Sequence, residues 1–279
     1  MTIFGVLIDT MDDTLGFAYL HFENNKRDEL LDGLSPADIH TVLYDLFNLK
    51  SPFGFKRKIE DKVFQKIDLF NWTELIISKL KKQESINIDE IDSWPQSNCD
   101  TNKIATYLPK EYQNYSQESA FWIFLMEKAG IFRNADGVWT ASKRINRLDD
   151  DPRNILKFLI EGVGFRINWS VFDGKSAMEM GQLAFGISLI MLIRYGDEYR
   201  DVKFYAAKYL HFFDLVRDIP DVPHPKPSID LVNIYIFRTF FCFTQIFKLV
   251  EMREVKSNDG VETQVKSSDI FNELFTLNY

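Results

Sequence analysis

Two stretches of the chain pass through the same series of signals. In each, an apolar run at helical spacing leads into a short strand-like stretch, a turn ending in Asp-Gly, a second such stretch and another brief helix. The first copy spans Phe121–Leu148, with its turn at Asn134-Ala135-Asp136-Gly137. The second spans Phe237–Leu274, with its turn at Ser257-Asn258-Asp259-Gly260. Asp-Gly between two extended runs favours a tight hairpin, because both residues tolerate positive φ. A layout that recurs constrains the architecture at two places at once.

Helix, hairpin and helix in this order is how a winged-helix unit reads in sequence. The expected fold is therefore mainly α with small β-hairpins (α+β), with two winged-helix-like units flanking a helical middle. The expected segments are 1–100, an N-terminal hairpin and helical segment; 101–165, the first unit; 166–227, the helical middle; and 228–279, the second unit. The apolar middle joins them into one compact body.

Individual elements are predicted by local signals. Ser35-Pro36-Ala37-Asp38 supplies an N-cap, a proline for the first helical position and an acid for the first turn. Ile39, Val42, Leu43, Leu46 and Phe47 then share one face, which predicts a helix from Pro36 to about Phe47. A second helix is expected near Trp72–Gln83, with Leu75, Ile76 and Leu80 on one apolar face. The polar stretch 84–102 is expected to be a connection. Gly130 is placed to end the helix of the first unit, and Asp151-Pro152 to open the next one. Leu183–Tyr195 is apolar nearly all round, the mark of a buried helix, and Gly196 reads as its left-handed cap. Phe204–Val216 is a further helix. Pro220, Pro223, Pro225 and Pro227 break the chain, and Ser228 caps the long helix of the second unit. Residues 1–26 read either as a hairpin, with Asp9–Thr14 as its turn, or as a helix.

Composition narrows the class. With 279 residues, 46% hydrophobic and 27% charged, the chain reads as globular. The 25 phenylalanines foretell an aromatic core. Its two cysteines, Cys99 and Cys242, allow no disulfide framework or zinc spacing, and fit a reducing cytoplasm. The N-terminus lacks a basic region and a cleavage site, so no signal peptide is expected. The apolar stretch Leu231–Val250 is interrupted by Arg238 and Lys248 and falls short of a membrane span. No membrane association is expected.

Several segments resemble a known group. Gly33-Leu34-Ser35-Pro36-Ala37-Asp38-Ile39-His40 is similar to the GLSPEQMH opening of uncharacterised bacterial proteins described as plasmid open-reading-frame-three-like. Asn168-Trp169-Ser170-Val171-Phe172-Asp173-Gly174 is similar to their NWxYFDGY segment. The residues from Phe185-Gly186 through Tyr195-Gly196-Asp197-Glu198 to Phe204-Tyr205-Ala206 are similar to the next part of those proteins. Leu249-Val250-Glu251 to Ser268-Asp269-Ile270-Phe271 resembles their closing LVE and TPLF. The likeness is collinear from about Arg27 to Tyr279 and departs over Glu84–Pro109. It implies a shared fold and a bacterial origin, and it carries no activity or catalytic residues.

Three groups of residues are candidates for function. Arg133, Lys143, Arg144 and Arg147 make the first hairpin and its sequel basic, which would suit DNA phosphates. The second hairpin balances its charges, and the whole chain carries −8 with a pI near 5.1, which disfavours nucleic acid. Asp9, with Asp12 and Asp13 beside it, is a weak candidate for metal-dependent hydrolysis; a solvated acidic turn is the plainer reading. Asn168, Trp169 and Asp173 could line a polar pocket with an aromatic wall, Asp173 being a weak catalytic candidate. A structural ion pair of Asp173 with Arg166 or Arg200 is the plainer reading there.

The histidines, His21, His40, His211 and His224, form no helical metal pair. No pattern calls for a metal or a cofactor. The expectation is a cytoplasmic, non-enzymatic binding or scaffold protein that contacts protein partners or copies of itself. A winged-helix DNA-associated regulator using Lys143–Arg147 and a metal-dependent hydrolase or nuclease using Asp9 are the alternatives.

Overall fold

The computed structural model describes residues 22–82, 85–87, 104–112, 115–135, 138–145, 148, 151–175, 180–216, 229–257 and 260–278. The expected N-terminal hairpin, with Asp9, lies outside the described residues. So do Arg147, Ser228, the four prolines of 220–227 and most of the polar connection.

Helix α1, Pro36–Tyr44, begins with a full capping box. The Ser35 hydroxyl accepts from the Asp38 amide at 3.1 Å, and the Asp38 carboxylate accepts from the Ser35 amide at 2.9 Å. Two orphan donors are satisfied together, and Pro36 takes the first position, where no amide is needed. The helix stops at Tyr44, three residues short of Phe47, which packs against strand β1, Phe53–Phe55, instead. A short helix α2, Asp61–Phe64, leads to α3, Asp68–Lys82. Leu69, Phe70, Thr73, Ile76, Ile77 and Leu80 form the buried stripe of α3. Leu75 points outward at 48% exposure, contrary to its expected place on the apolar face, because the stripe is centred one residue further round.

Strand β2, Ser85–Asn87, falls where the sequence reads only as a polar connection. Helix α4, Gln117–Ala129, is capped by Ser116 and closed by Gly130 at φ 91°. That left-handed value favours glycine, and the Gly130 amide returns to the carbonyls of Met126 and Glu127. The hairpin of β3, Phe132–Ala135, and β4, Val138–Ala141, comes next. Phe132 and Trp139 stack with ring centres 4.3 Å apart. β2 pairs antiparallel with β4, so the sheet order is β2-β4-β3.

Helix α5, Pro152–Glu161, starts at the Asp151 cap, as its Asp-Pro signal foretells, and widens into a π-turn over Gly162–Arg166. Helix α6, Phe185–Tyr195, buries every residue from Phe185 to Leu192. Gly196 ends it with φ −90°, not in the left-handed conformation expected. Glycine is needed there for space: a Cβ would lie 2.4 Å from the Leu192 carbonyl oxygen and 3.0 Å from the Ser267 Cβ. Strand β5, Arg200–Asp201, runs straight into α7, Val202–Val216. Helix α8, Ile229–Ile236, continues as a π-helix through Phe237–Phe243 and ends as α9, Thr244–Ile246. Strands β6, Val250–Ser257, and β7, Gly260–Ser267, form the longer hairpin, in register from Val250↔Ser267 to Ser257↔Gly260. β5 joins β7, giving the order β5-β7-β6.

The two three-stranded sheets thus share one topology. In each, a helix leads to a short strand, further helix and then a hairpin, and the last strand sits between the other two. The second set begins as early as α6, because β5 belongs to its sheet. Helix α10, Asp269–Leu274, and strand β8, Phe275–Leu277, close the chain. β8 pairs antiparallel with β1 from Phe53↔Leu277 to Phe55↔Phe275. One continuous apolar cluster, from Leu34 to Phe275, runs through both sets. Among the described residues, no helix is long and apolar enough to cross a membrane.

Candidate functional site

Asp173 meets neither Arg166 nor Arg200. Its partner is Arg238, from the π-helical stretch after α8. The Arg238 Nε donates to one carboxylate oxygen at 3.0 Å and Nη2 to the other at 2.9 Å. Nη2 also donates to the Lys175 carbonyl at 3.0 Å. The Arg238 side chain is fully buried and that of Asp173 is 10% exposed. A charge so far from water persists only when paired and hydrogen-bonded, and this two-pronged pair supplies both. Its visible role is to fasten the turn at Asp173 to the long helix.

The other two residues of the expected pocket face different ways. Asn168 is exposed and caps a short turn, its Oδ1 accepting from the Ser170 amide at 2.9 Å. Trp169 is fully buried, and its Nε1 donates to the Val163 carbonyl at 2.8 Å. Its ring stacks on Phe243 at 4.9 Å. Gln182 fixes the same loop by accepting from the Trp169 amide and donating to the carbonyls of Gly164 and Ile167. The three residues therefore do not converge on an open polar pocket. The aromatic wall belongs to the core, and the carboxylate is occupied by an arginine.

Arg166 and Arg200 have other partners. Arg200 Nε donates to the Tyr195 carbonyl at 2.9 Å, and its guanidinium lies over the Phe204 ring. Arg166 donates to the Ala129 carbonyl, at the end of α4, and lies over the Phe158 ring, 5.0 Å from its centre. A cation at a helix C-terminus complements the orphan carbonyls there.

Arg166 also meets the basic region nominated from sequence. A Cβ placed on Gly130 would lie 3.3 Å from Arg166 Nη1 and 4.0 Å from Arg144 Cδ. Partial burial of its head group first, and then the Arg144 charge, hold the Arg166 pKa below the ordinary arginine value, although the residue as a whole reaches the surface. Arg133, Lys143, Arg144 and Arg166 are all exposed. Sequence reading put three of these cations together and set Arg166 elsewhere, beside Asp173, because it stands far from the hairpin in the chain. Arg238 did leave a signal, as a lone charge inside an apolar helical run.

The helix that precedes each hairpin, where a DNA-reading surface would be sought, is internal. In α4, every residue from Ala120 to Met126 is buried. Along α8 and its continuation, Leu231 to Ile246, Asn233 and Phe241 are the exposed residues. Elsewhere, a groove of about 810 Å³ opens along α3, lined in part by Gln65, Asn71, Glu74, Leu75, Lys81 and Ile155. None of the residues nominated from sequence lines it.

No protein-family model matches the chain, and no curated protein or solved structure is significantly similar to it.

Proposed function

We propose that the chain is a non-enzymatic, cytoplasmic binding or scaffold protein, built from two winged-helix-like units and acting through protein contacts. The observation that carries this reading is the burial of the helix before each hairpin. A helix that enters the major groove must present polar side chains to base edges. α4 presents an apolar surface to the core from Ala120 to Met126, and α8 with its continuation is nearly as enclosed. The repeated topology then works as architecture, and the acidic total of −8 favours protein over nucleic-acid partners. Fold alone assigns no function, so the weight rests on these surfaces.

The test is light scattering on the purified chain, combined with affinity capture and reciprocal capture of any retained protein. The expected result is a stable self-complex or a reproducible stoichiometric partner. A strict monomer at high concentration, with nothing retained in either direction, overturns the reading.

A further inference from the structure

We propose that the outer edge of β6 is a self-association site, where two copies of the chain pair their β6 strands antiparallel about a two-fold axis. The inference rests on the protein-binding role proposed for the chain and names a second copy as the partner. In the sheet order β5-β7-β6, β6 has a neighbour on one side only. The hairpin fixes where its backbone groups point. Ser268 donates its amide to the Leu249 carbonyl, while on the far side of β7 the Ser267 amide donates to Gly196. Direction alternates along a strand. The backbone groups of Glu251, Arg253 and Val255 therefore face β7, and those of Val250, Met252, Glu254 and Lys256 face away from it. Among the described residues, no strand or other hydrogen-bonding group meets the outward groups of Met252, Glu254 and Lys256. A row of unpaired amides and carbonyls is a template for another strand.

The charges of β6 select a copy of itself as that strand. A two-fold axis perpendicular to the sheet sets one residue opposite its own counterpart, so few registers exist. Centring on Arg253 opposes two guanidiniums, and centring on Glu254 opposes two carboxylates. Like charges directly opposite destabilise a sheet. Centring on Met252 needs the buried Val250 in the seam and sets Glu251 opposite Arg253. Those two are engaged already: Glu251 by Lys266 at 3.2 Å and Tyr199 at 3.0 Å, Arg253 by Gln264.

Centring on Val255 meets none of these objections. Val255 packs on its counterpart, and Glu254 lies opposite Lys256 on both sides of the axis. Both charged side chains are exposed, and across β7 they face the uncharged Thr263 and Val261. The matching charge therefore arrives with the second copy. Glu254 and Lys256 are also outward-pointing residues, so each opposed pair exchanges both of its backbone hydrogen bonds. Charges along an edge ordinarily turn foreign strands away. Here they complement the strand's own copy, which joins two sheets into one across the axis.

The experiment is analytical ultracentrifugation of the full chain over a concentration series, with circular dichroism to check that each variant is folded. The expected result is a monomer–dimer equilibrium that shifts toward monomer as salt rises. Glu254→Lys and Lys256→Glu each weaken the dimer about tenfold or more, by opposing like charges at both symmetric pairs. The two changes together restore it. Glu254→Pro removes one outward amide, spares the ladder to β7 and yields monomer. A parent chain that is monomeric at every concentration overturns the inference. So does a Glu254→Pro variant that dimerises as the parent does, or a combined charge swap no better than either single change. If a monomeric chain still retains a stoichiometric protein in affinity capture, this inference falls and the protein-binding role stands; if it retains none, both fall.

Discussion

Arg238 and Asp173, 65 residues apart, are joined by two hydrogen bonds between a fully buried guanidinium and both oxygens of one carboxylate. Removing either partner strands the other charge away from water. Asp173→Ala is therefore expected to destabilise the chain by about 3–5 kcal/mol, read as a lower denaturant midpoint. Replacing both, with Asp173→Leu and Arg238→Met, is expected to recover much of the loss, because no unpaired charge remains. A double variant as unstable as Asp173→Ala alone would show that the pair is not what matters.

The π-turn after α5 depends on the absence of a side chain at Gly164. A Cβ on Gly164 would lie 2.4 Å from two ring atoms of Phe185. That ring is buried and boxed in by Phe165, Trp169 and Phe243, so it has little room to yield. Gly164→Ala is expected to cost about 1–3 kcal/mol, the usual cost of overpacking. Thermal unfolding measures it, and adding Phe185→Leu should return part of the lost stability. An unchanged melting temperature in Gly164→Ala would refute the packing argument.

Stability should fall at alkaline pH. Burial, first of all, raises the phenol pKa values of Tyr112, Tyr205 and Tyr235 above the ordinary value, and the Glu127 carboxylate adds to this at Tyr112. Above about pH 10 the unfolded chain loses these protons while the folded chain keeps them, so stability declines as pH rises from there. Lys208 acts in the same sense. Burial lowers its pKa, but hydrogen bonds to Asp32 and Tyr195 outweigh this and leave it raised. Its contribution is complete below the unfolded value of 10.5 and is lost as pH climbs through the folded one. The check is phenolate absorbance followed together with circular dichroism. Three of the eleven tyrosines should ionise only as the helices melt; full ionisation of a still-folded chain would contradict this.

The C-terminal strand β8 and strand β1 close on one aromatic cluster. Phe275, on β8, lies within 4.9–6.4 Å, centre to centre, of Phe47, Phe53, Phe55 and Phe271. Phe275→Ala should cost about 3–5 kcal/mol by opening a cavity there. In hydrogen exchange, the amides of β1 should lose protection along with those of β8. Independent exchange of the two strands would deny their coupling.

The legible features were those whose signal is local. Ser35, Asp151 and Gly130 announce their helix ends because a cap needs only its own turn. The two hairpins were legible from Asp-Gly and their flanking runs, and the burial of α6 from its unbroken apolarity. Gly196 misled because a glycine kept for close packing looks the same in sequence as one kept for positive φ. β2 and β5 were missed because strands of three and two residues carry no period of their own. Only their pairing with β4 and β7 makes them strands.

The candidate sites divide in the same way. By itself, the sequence determined which residues are charged, where helices cap and where hairpins turn, since those depend on neighbours a few positions away. Only the tertiary structure decided that Asp173 would meet Arg238, that Arg166 would join Arg144 at Gly130, and that α4 would turn every side from Ala120 to Met126 inward. Those outcomes depend on which distant surfaces exclude water together, and burial of that kind leaves no periodic trace along the chain.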